Sequence, residues 1–220
     1  MSVPLPQRLG AECIGTFMLI FAGCGAVVIS AHQGGAISHE GIAASFGLVI
    51  MVLIYSLGHI SGAHFNPGVT LAFAIARHFQ IKDVIPYWLA QFTGAIGASF
   101  LLRLLFGNVA HLGATLPAGP ESDSFVLEIV LTFFLMFVIT AVATDARAVG
   151  QAAAIAIGAT VGLEALFAGP ISGASMNTAR SLAPALVSGE LSALWIYIVA
   201  PPIGAVAGAL VYDFVRGDHH

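Results

Sequence analysis

The chain has 220 residues, of which 58% are hydrophobic and 8% are charged. Seven basic and eleven acidic residues give a net charge of −4, and no basic patch indicates binding to nucleic acid. The composition excludes an ordinary soluble domain and predicts an integral membrane protein, because its apolar runs approach the roughly 20 residues that cross a bilayer as a helix.

Six apolar segments are predicted to span the membrane as helices, each bounded by polar or Gly/Pro-containing loops. They cover residues 9–31, 40–60, 85–107, 125–144, 150–168 and 193–215. The first segment is too long for a signal peptide and lacks a basic leading region and a cleavage site. We therefore expect it to remain in the membrane.

The charged loop residues predict the orientation of the chain. An even number of spans places both chain ends on one side, where the basic loop residues also fall: Arg8, Arg77, Lys82, Arg147 and Arg216. The opposite side carries acidic residues and histidines, with only Arg103 close to it. The positive-inside rule predicts cytoplasmic chain ends in a multi-pass protein of the plasma or inner membrane.

The two halves of the chain resemble each other. The stretch AECIGTFMLIFAGCGAV (11–27) matches LEIVLTFFLMFVITAVA (127–143), and SGAHFNPGVT (61–70) matches SGASMNTARS (172–181). These matches pair Glu12 with Glu128 and Asn66 with Asn177. The repeats cover about 9–107 and 125–215, and each holds three spans, so the second repeat must be inverted. We expect one domain with its site near the midplane.

Each repeated polar phrase is followed by a short apolar segment, residues 69–76 and 179–187. About ten helical residues reach only about 15 Å, which is half of a bilayer. Both segments are predicted to be re-entrant half-helices whose N-termini meet in the middle.

Asn66 and Asn177 stand at the predicted starts of the half-helices. An Asn side chain caps a helix with its oxygen, and proline is favoured at the first helical position, as at Pro67. We expect each amide NH₂ to point toward a water-filled path. The preceding non-helical stretches should line that path with carbonyl groups, supplied by Gly62, Ala63, His64, Gly173 and Ser175.

These residues together resemble the aquaporin, or major intrinsic protein, family, whose signature is a pair of Asn-Pro-Ala motifs on opposed half-helices. GHISGAHFNP (58–67) and AGPISGASMN (168–177) are particularly similar to its nodulin-like branch, whose members include glycerol and metalloid-hydroxide channels. This sequence departs from the signature at Gly68 and Thr178, which should weaken the helix starts.

The resemblance covers the whole chain and implies an all-α membrane protein with six transmembrane helices, two re-entrant half-helices and inverted three-helix repeats, the aquaporin fold. It also implies a homotetramer in lipid with one pore per subunit, no enzymatic activity, no cofactor and no metal. The Gly158/Gly162 and Gly204/Gly208 pairs could serve contacts between subunits or within one subunit.

Arg180 is an ionisable residue at membrane depth, which favours a wet location. By resemblance it belongs to a selectivity constriction with Phe46, Ala165 and Ala174. Water-selective relatives commonly carry histidine where Ala165 stands, so a wider constriction is implied. We expect it to pass water, glycerol, urea and metalloid hydroxides such as arsenite or boric acid, while ions and protons are excluded. A strictly water-selective channel is the alternative.

Glu12 and Glu128, by the same resemblance, should be scaffold residues that accept hydrogen bonds from the re-entrant loops. Glu164 has no family equivalent, and three roles stay open for it: bracing a loop, titrating, or contacting solute. His59 and His64 are expected to be loop supports rather than metal ligands. Cys13 and Cys24 are expected to pack as small apolar side chains.

Two other classes of protein share some of these features. An ion-coupled secondary transporter also has inverted repeats and broken helices, but it normally needs acidic residues at the midplane, where only Glu164 is a candidate. An intramembrane hydrolase would use Ser61 and His64, but the second repeat lacks that pair and no nucleophile motif surrounds it.

Overall fold

The computed structural model describes residues 3–144 and 152–217. Eight α-helices are described in these ranges, and six of them are long and apolar enough to cross a membrane. In chain order they are α1 Leu5–His32, α2 His39–Ser61, α3 Pro67–Ile75, α4 Val84–Phe106, α5 Glu121–Thr144, α6 Ala153–Ser172, α7 Thr178–Ser188 and α8 Leu194–Arg216. The six predicted spans are confirmed; Arg147 and the start of the predicted fifth span, at residue 150, lie outside the described residues.

Three span boundaries lie four residues from those predicted: helix α1 begins at Leu5 rather than at residue 9, and local chemistry explains the other two. Helix α5 begins at Glu121 rather than at residue 125, because Pro120 precedes it and two acidic residues in its first turn favour a helix N-terminus. Helix α6 continues past residue 168 through Pro170 and ends at Gly173, which takes the left-handed conformation that commonly closes a helix.

Helix packing follows the repeat. Helix α1 packs on α4 in the first half, and α5 packs on α8 in the second. At the two crossings Gly94 lies against the Cys13 carbonyl and Gly204 against the Ile129 carbonyl, where a Cβ atom would collide. The glycines show that both pairs of helices approach closely at equivalent positions of the two repeats.

The glycine pairs that the sequence analysis left open contact helices of the same chain. Gly158 and Gly162 lie against Gly47, where α6 crosses α2. Gly208 lies against the Phe133 carbonyl, next to the crossing of Gly204 with α5. These small residues permit close approach of helix backbones within the chain.

The half-helices α3 and α7 have nine and eleven residues, as their length in sequence predicted. Helix α3 packs mainly on α8 and α7 on α4, so each half-helix is held by the last helix of the other repeat. This exchange locks the two repeats together and brings the N-termini of α3 and α7 into contact. The membrane face at which α1 begins and α8 ends is called the terminal face below.

Candidate functional site

The two half-helices begin at asparagines that cap them and bind each other's loops. The Asn66 Oδ1 accepts from the Gly68 N–H at 2.9 Å, and the Asn177 Oδ1 accepts from the N–H groups of Ala179 and Arg180 at 2.9 and 3.2 Å. Both amide oxygens are therefore used in capping, as the sequence analysis expected.

Each amide NH₂ of Asn66 and Asn177 has one hydrogen already bonded within the protein. This corrects the expectation that both NH₂ groups point wholly toward a water-filled path. The Asn66 Nδ2 donates to the Met176 carbonyl at 2.7 Å, and the Asn177 Nδ2 donates to the Phe65 carbonyl at 2.9 Å. Each NH₂ keeps one hydrogen, since an amide nitrogen has two. The reciprocal bonds fix the orientation of that remaining hydrogen.

The loops that precede the caps have an unusual backbone conformation. Ala63 and Phe65 in the first loop have φ values of 52° and 48°, and Ala174 and Met176 in the second have 42° and 54°. Non-glycine residues rarely adopt this left-handed region, and strain of this kind persists only where surrounding contacts impose it. Backbone N–H groups of the same loops supply those contacts.

Glu12 holds the first loop from helix α1. Its Oε1 accepts from the Ser61 hydroxyl at 2.7 Å and the His64 N–H at 2.9 Å. Its Oε2 accepts from the Phe65 N–H at 2.7 Å and from the Gln91 amide at 2.8 Å. The fully buried carboxylate thus has four donors.

Glu128 holds the second loop from helix α5 in the same way, with one donor fewer. Its Oε1 accepts from the Ser172 hydroxyl at 2.7 Å and the Ser175 N–H at 2.8 Å, and its Oε2 accepts from the Met176 N–H at 2.9 Å. The geometry is the one expected of scaffold residues, and it accounts for the left-handed residues in both loops.

A cavity of about 810 Å³ runs past the two caps. The predicted site residues in its wall are Phe46, Gly62, Ala63, His64, Asn66, Ala165, Ala174, Ser175, Asn177 and Arg180. Gly173 is not among the lining residues: it lies against Thr115, because it closes helix α6 before the loop reaches the cavity. Met176, which the sequence analysis missed, takes a place in the wall.

The cavity is amphipathic. Its polar wall comes from the two loops, whereas α2, α5 and α6 supply aliphatic side chains, among them Ile50, Ile54, Leu135, Ile139, Ile157 and Val161. The sequence analysis did not identify these aliphatic residues, because every span is apolar on most of its surface. Only packing selects the face that meets the cavity.

Arg180 lies at the second cap and is 5% exposed. Its Nη1 donates to the Gly113 carbonyl at 2.7 Å and contacts the Cys24 Sγ at 3.4 Å. Its guanidinium carbon lies 4.9 Å from the centre of the Phe46 ring. Phe46 and Arg180 therefore lie side by side in the cavity wall, and Cys24 and Gly113 contact the guanidinium from behind that wall.

The Gly113 carbonyl is presented by a turn that sequence reasoning missed. Residues Val109–Gly113 form this turn, and Ala110, His111 and Leu112 are all left-handed. The Asn108 amide donates to the Ser188 carbonyl at 3.0 Å, and His111 lies 3.9 Å from Glu190. Hydrogen bonds from Ser192 lower the pKa of the Glu190 carboxyl, so it is ionised beside His111 at neutral pH.

The histidines of the first motif have different surroundings. His64 is buried among the rings of Phe73, Phe79 and Tyr87, and its Nδ1 lies 3.0 Å from the Thr70 hydroxyl. His59 lines the mouth of the cavity and is exposed. Within the described residues no cluster of His, Cys, Asp and Glu could hold a metal ion.

Glu164, Cys13 and Cys24 are the remaining residues considered in the sequence analysis, and they differ in their burial and contacts. Glu164 is 1% exposed, lies outside the cavity wall, and neither of its oxygens has a hydrogen-bond partner in the described part of the chain. Cys13 is half-buried and Cys24 is buried, both as free thiols. Packing alone is an incomplete description of Cys24, because its sulfur contacts the Arg180 guanidinium.

The six spans surround two opposed half-helices that are capped by asparagines and open on an amphipathic cavity. This arrangement defines a membrane channel built from inverted repeats. Residues 1–212 match the protein family described as "MIP: Major intrinsic protein". The chain therefore belongs to the major intrinsic protein family of channels, whose members are not enzymes.

Named relatives agree with this assignment. The chain is 55% identical to "Aquaporin NIP1-1" of Zea mays, over 98% of this chain and 77% of the relative. It is 54% identical to "Nodulin-26" of Glycine max, over 98% of this chain and 80% of the relative. These similarities place it in the nodulin-like branch. The aquaglyceroporin from Plasmodium falciparum shares the fold, with a TM-score of 0.89, 24% identity and 97% coverage of both chains.

Proposed function

We propose that the protein is a passive channel for water and small uncharged solutes, including glycerol and urea, and extending to metalloid hydroxides such as arsenite or boric acid. The observation that carries the proposal is the set of side chains around Arg180. Phe46 stacks against the guanidinium, while Ala165 and Ala174 contribute only methyl groups to the same cavity. Such a constriction has one polar side and room opposite it.

The chemistry of this constriction suits a polyol. The carbon edge of glycerol can lie along the Phe46 ring and the alanine methyls without losing hydrogen bonds. Its hydroxyls can accept from the Arg180 guanidinium and donate to the loop carbonyls. Urea and neutral trihydroxides have the same combination of small size, no charge and several hydrogen-bonding groups.

Ions and protons are excluded by the midplane and the constriction together. Each helix N-terminus carries about half a positive charge, and α3 and α7 direct theirs to one point. Cations, hydronium included, are disfavoured there. A water whose oxygen accepts from the remaining hydrogens of Asn66 and Asn177 cannot also accept a relayed proton.

The channel proposal is preferred to a coupled transporter because of the position of Glu164. Ion coupling normally needs acidic residues at the midplane site, and Glu164, the candidate that the sequence offers, lies outside the cavity wall. The assembly is proposed to be a homotetramer in lipid with both chain ends cytoplasmic. Four basic residues of the described chain, Arg8, Arg77, Lys82 and Arg216, lie toward the terminal face and support that orientation.

Stopped-flow light scattering of proteoliposomes tests the proposal. Gradients of water, glycerol, urea and arsenite are applied to vesicles with equal amounts of protein and to empty vesicles. We expect all four fluxes to exceed those of empty vesicles without saturating. Water flux with no glycerol, urea or arsenite flux would replace the proposal with a strictly water-selective channel, and a flux that follows a proton gradient would indicate a transporter.

A further inference from the structure

Glu164 is an anomaly in the chain, because a carboxyl buried to 1% exposure has no hydrogen-bond partner in the described residues. A buried ionised carboxylate with neither a donor nor a counter-ion is strongly unfavourable, so the neutral acid is the favoured form. A neutral carboxylic acid has one O–H donor. The nearby groups therefore decide what that donor serves.

Comparison of the two repeats identifies a donor that the second repeat lacks. In the first repeat the Gln91 amide donates to the Glu12 Oε2, which thus has two donors. In the second repeat the Glu128 Oε2 has one donor, the Met176 N–H. The surroundings of the two scaffold carboxylates are otherwise alike, so the difference is local to the Gln91 position.

The position equivalent to Gln91 is fixed by its neighbours. Tyr87 donates to the Ser61 carbonyl at 2.8 Å, and Tyr197 donates to the Ser172 carbonyl at 2.7 Å in the other repeat. Four residues further along, Gln91 corresponds to Pro201. Proline has no side-chain donor, so helix α8 cannot supply Glu128 with the bond that α4 supplies to Glu12.

The second repeat has a buried polar side chain on a different helix, at Glu164 of α6. The match of Ser61 with Ser172 pairs Leu53, a buried apolar residue of α2, with Glu164 of α6. Helix α6 packs on α5, which carries Glu128, and both carboxyl groups are buried. Where the first repeat has Leu53 and Gln91, the second has Glu164 and Pro201.

We propose that Glu164 is a positioning residue: its neutral carboxyl serves the Glu128 Oε2 as Gln91 serves the Glu12 Oε2, directly after a side-chain rotation or through one buried water. The bond steadies the second re-entrant loop, which carries Ala174 and leads into the half-helix that carries Arg180. Glu164 does not touch the solute in this arrangement. The inference concerns loop support and does not depend on which solutes pass.

Infrared spectroscopy of reconstituted protein tests the protonation state. The difference spectrum between the unmodified protein and Glu164→Gln at neutral pH should contain the C=O stretch of a protonated carboxyl. The amide retains a donor of nearly the same shape, so this variant should keep the thermal unfolding midpoint within about 2 °C. The absence of that band would overturn the proposal, whether or not the channel passes glycerol.

Two further variants test the donor itself. Glu164→Leu removes it and should lower the unfolding midpoint by about 4–8 °C and change the ratio of glycerol to water flux at least twofold. Adding Pro201→Gln to Glu164→Leu places an amide where the first repeat has Gln91. The double variant should recover more than half of the decrease in unfolding midpoint that Glu164→Leu causes. Equal losses in Glu164→Gln and Glu164→Leu, or no rescue by Pro201→Gln, would contradict the proposed bond.

Discussion

Ala165→His should reduce glycerol flux much more than water flux. Ala165 lines the cavity with Phe46 and Arg180, and an imidazole there would fill the apolar space that a carbon chain needs. If glycerol must give up one hydrogen bond to pass, its barrier rises by about 1–3 kcal/mol. Since 1.36 kcal/mol corresponds to tenfold in rate, glycerol flux should fall roughly 5- to 160-fold.

Water should be affected much less by the same substitution. It needs a smaller cross-section and can hydrogen-bond to the imidazole, so its flux should fall less than about threefold, equivalent to about 0.65 kcal/mol. The ratio of glycerol to water flux is the quantity to compare, measured by stopped-flow light scattering.

A matched control for this comparison is Ala168→Ser on the same helix. Ala168 is fully buried but does not line the cavity, so this substitution should leave the flux ratio unchanged. Both proteins must elute at the same assembly size as the unmodified channel, because misfolding would reduce the two fluxes together. An unchanged flux ratio in Ala165→His would show that this residue is not part of the constriction.

Other substitutions test the cap, the charge and the support of Arg180. Thr178→Pro should leave water and glycerol flux within about twofold of the unmodified values. Asn177 has φ −153° and ψ 113°, close to the −151° and 121° of Asn66 before a proline, and the Thr178 hydroxyl has no partner among the described residues. Loss of flux in folded protein would reveal a role for the hydroxyl. Arg180→Val should increase proton leak, measured with a pH-sensitive dye in the vesicles, because it removes a fixed charge, and substantial ionic current in the unmodified protein would refute the exclusion mechanism. Cys24→Leu should lower both fluxes and cost about 1–3 kcal/mol of stability, because Cys24 lies tightly against Gly113 behind the Arg180 guanidinium. Cys24→Ser should change neither flux by more than twofold. Equal fluxes in these two variants would show that the space behind Arg180 is not limiting.

The repeat explains why a polar site survives in so apolar a chain. Each half-helix packs on the last helix of the other repeat, and each capping asparagine donates to the other repeat's loop. Neither loop could keep its left-handed residues without a buried carboxylate to accept its N–H groups. Duplication and inversion therefore supply both the two opposed helix ends and the scaffold that holds them.

Much of this arrangement was predictable from local sequence. Span lengths follow from the thickness of the bilayer, and a short apolar segment after Asn66 or Asn177 can only be a half-helix. The capping role of the asparagines depends on residues within three positions of them. The inversion follows from three spans in each repeat, and the confirmed family assignment from the two motifs.

Tertiary structure alone decided the features that depend on residues distant in sequence. The Arg180 side chain is held by Gly113 and Cys24, which are 67 and 156 residues away, and the first belongs to a left-handed turn without a sequence signature. The aliphatic wall could not be predicted because apolar residues surround every span, in contact with lipid as well as with protein. Packing also decided which residue of the Glu164-Ala165 pair faces the cavity. A helix turns by about 100° per residue, so the two neighbours point in different directions, and in the folded protein Ala165 meets the cavity while Glu164 is buried within the protein.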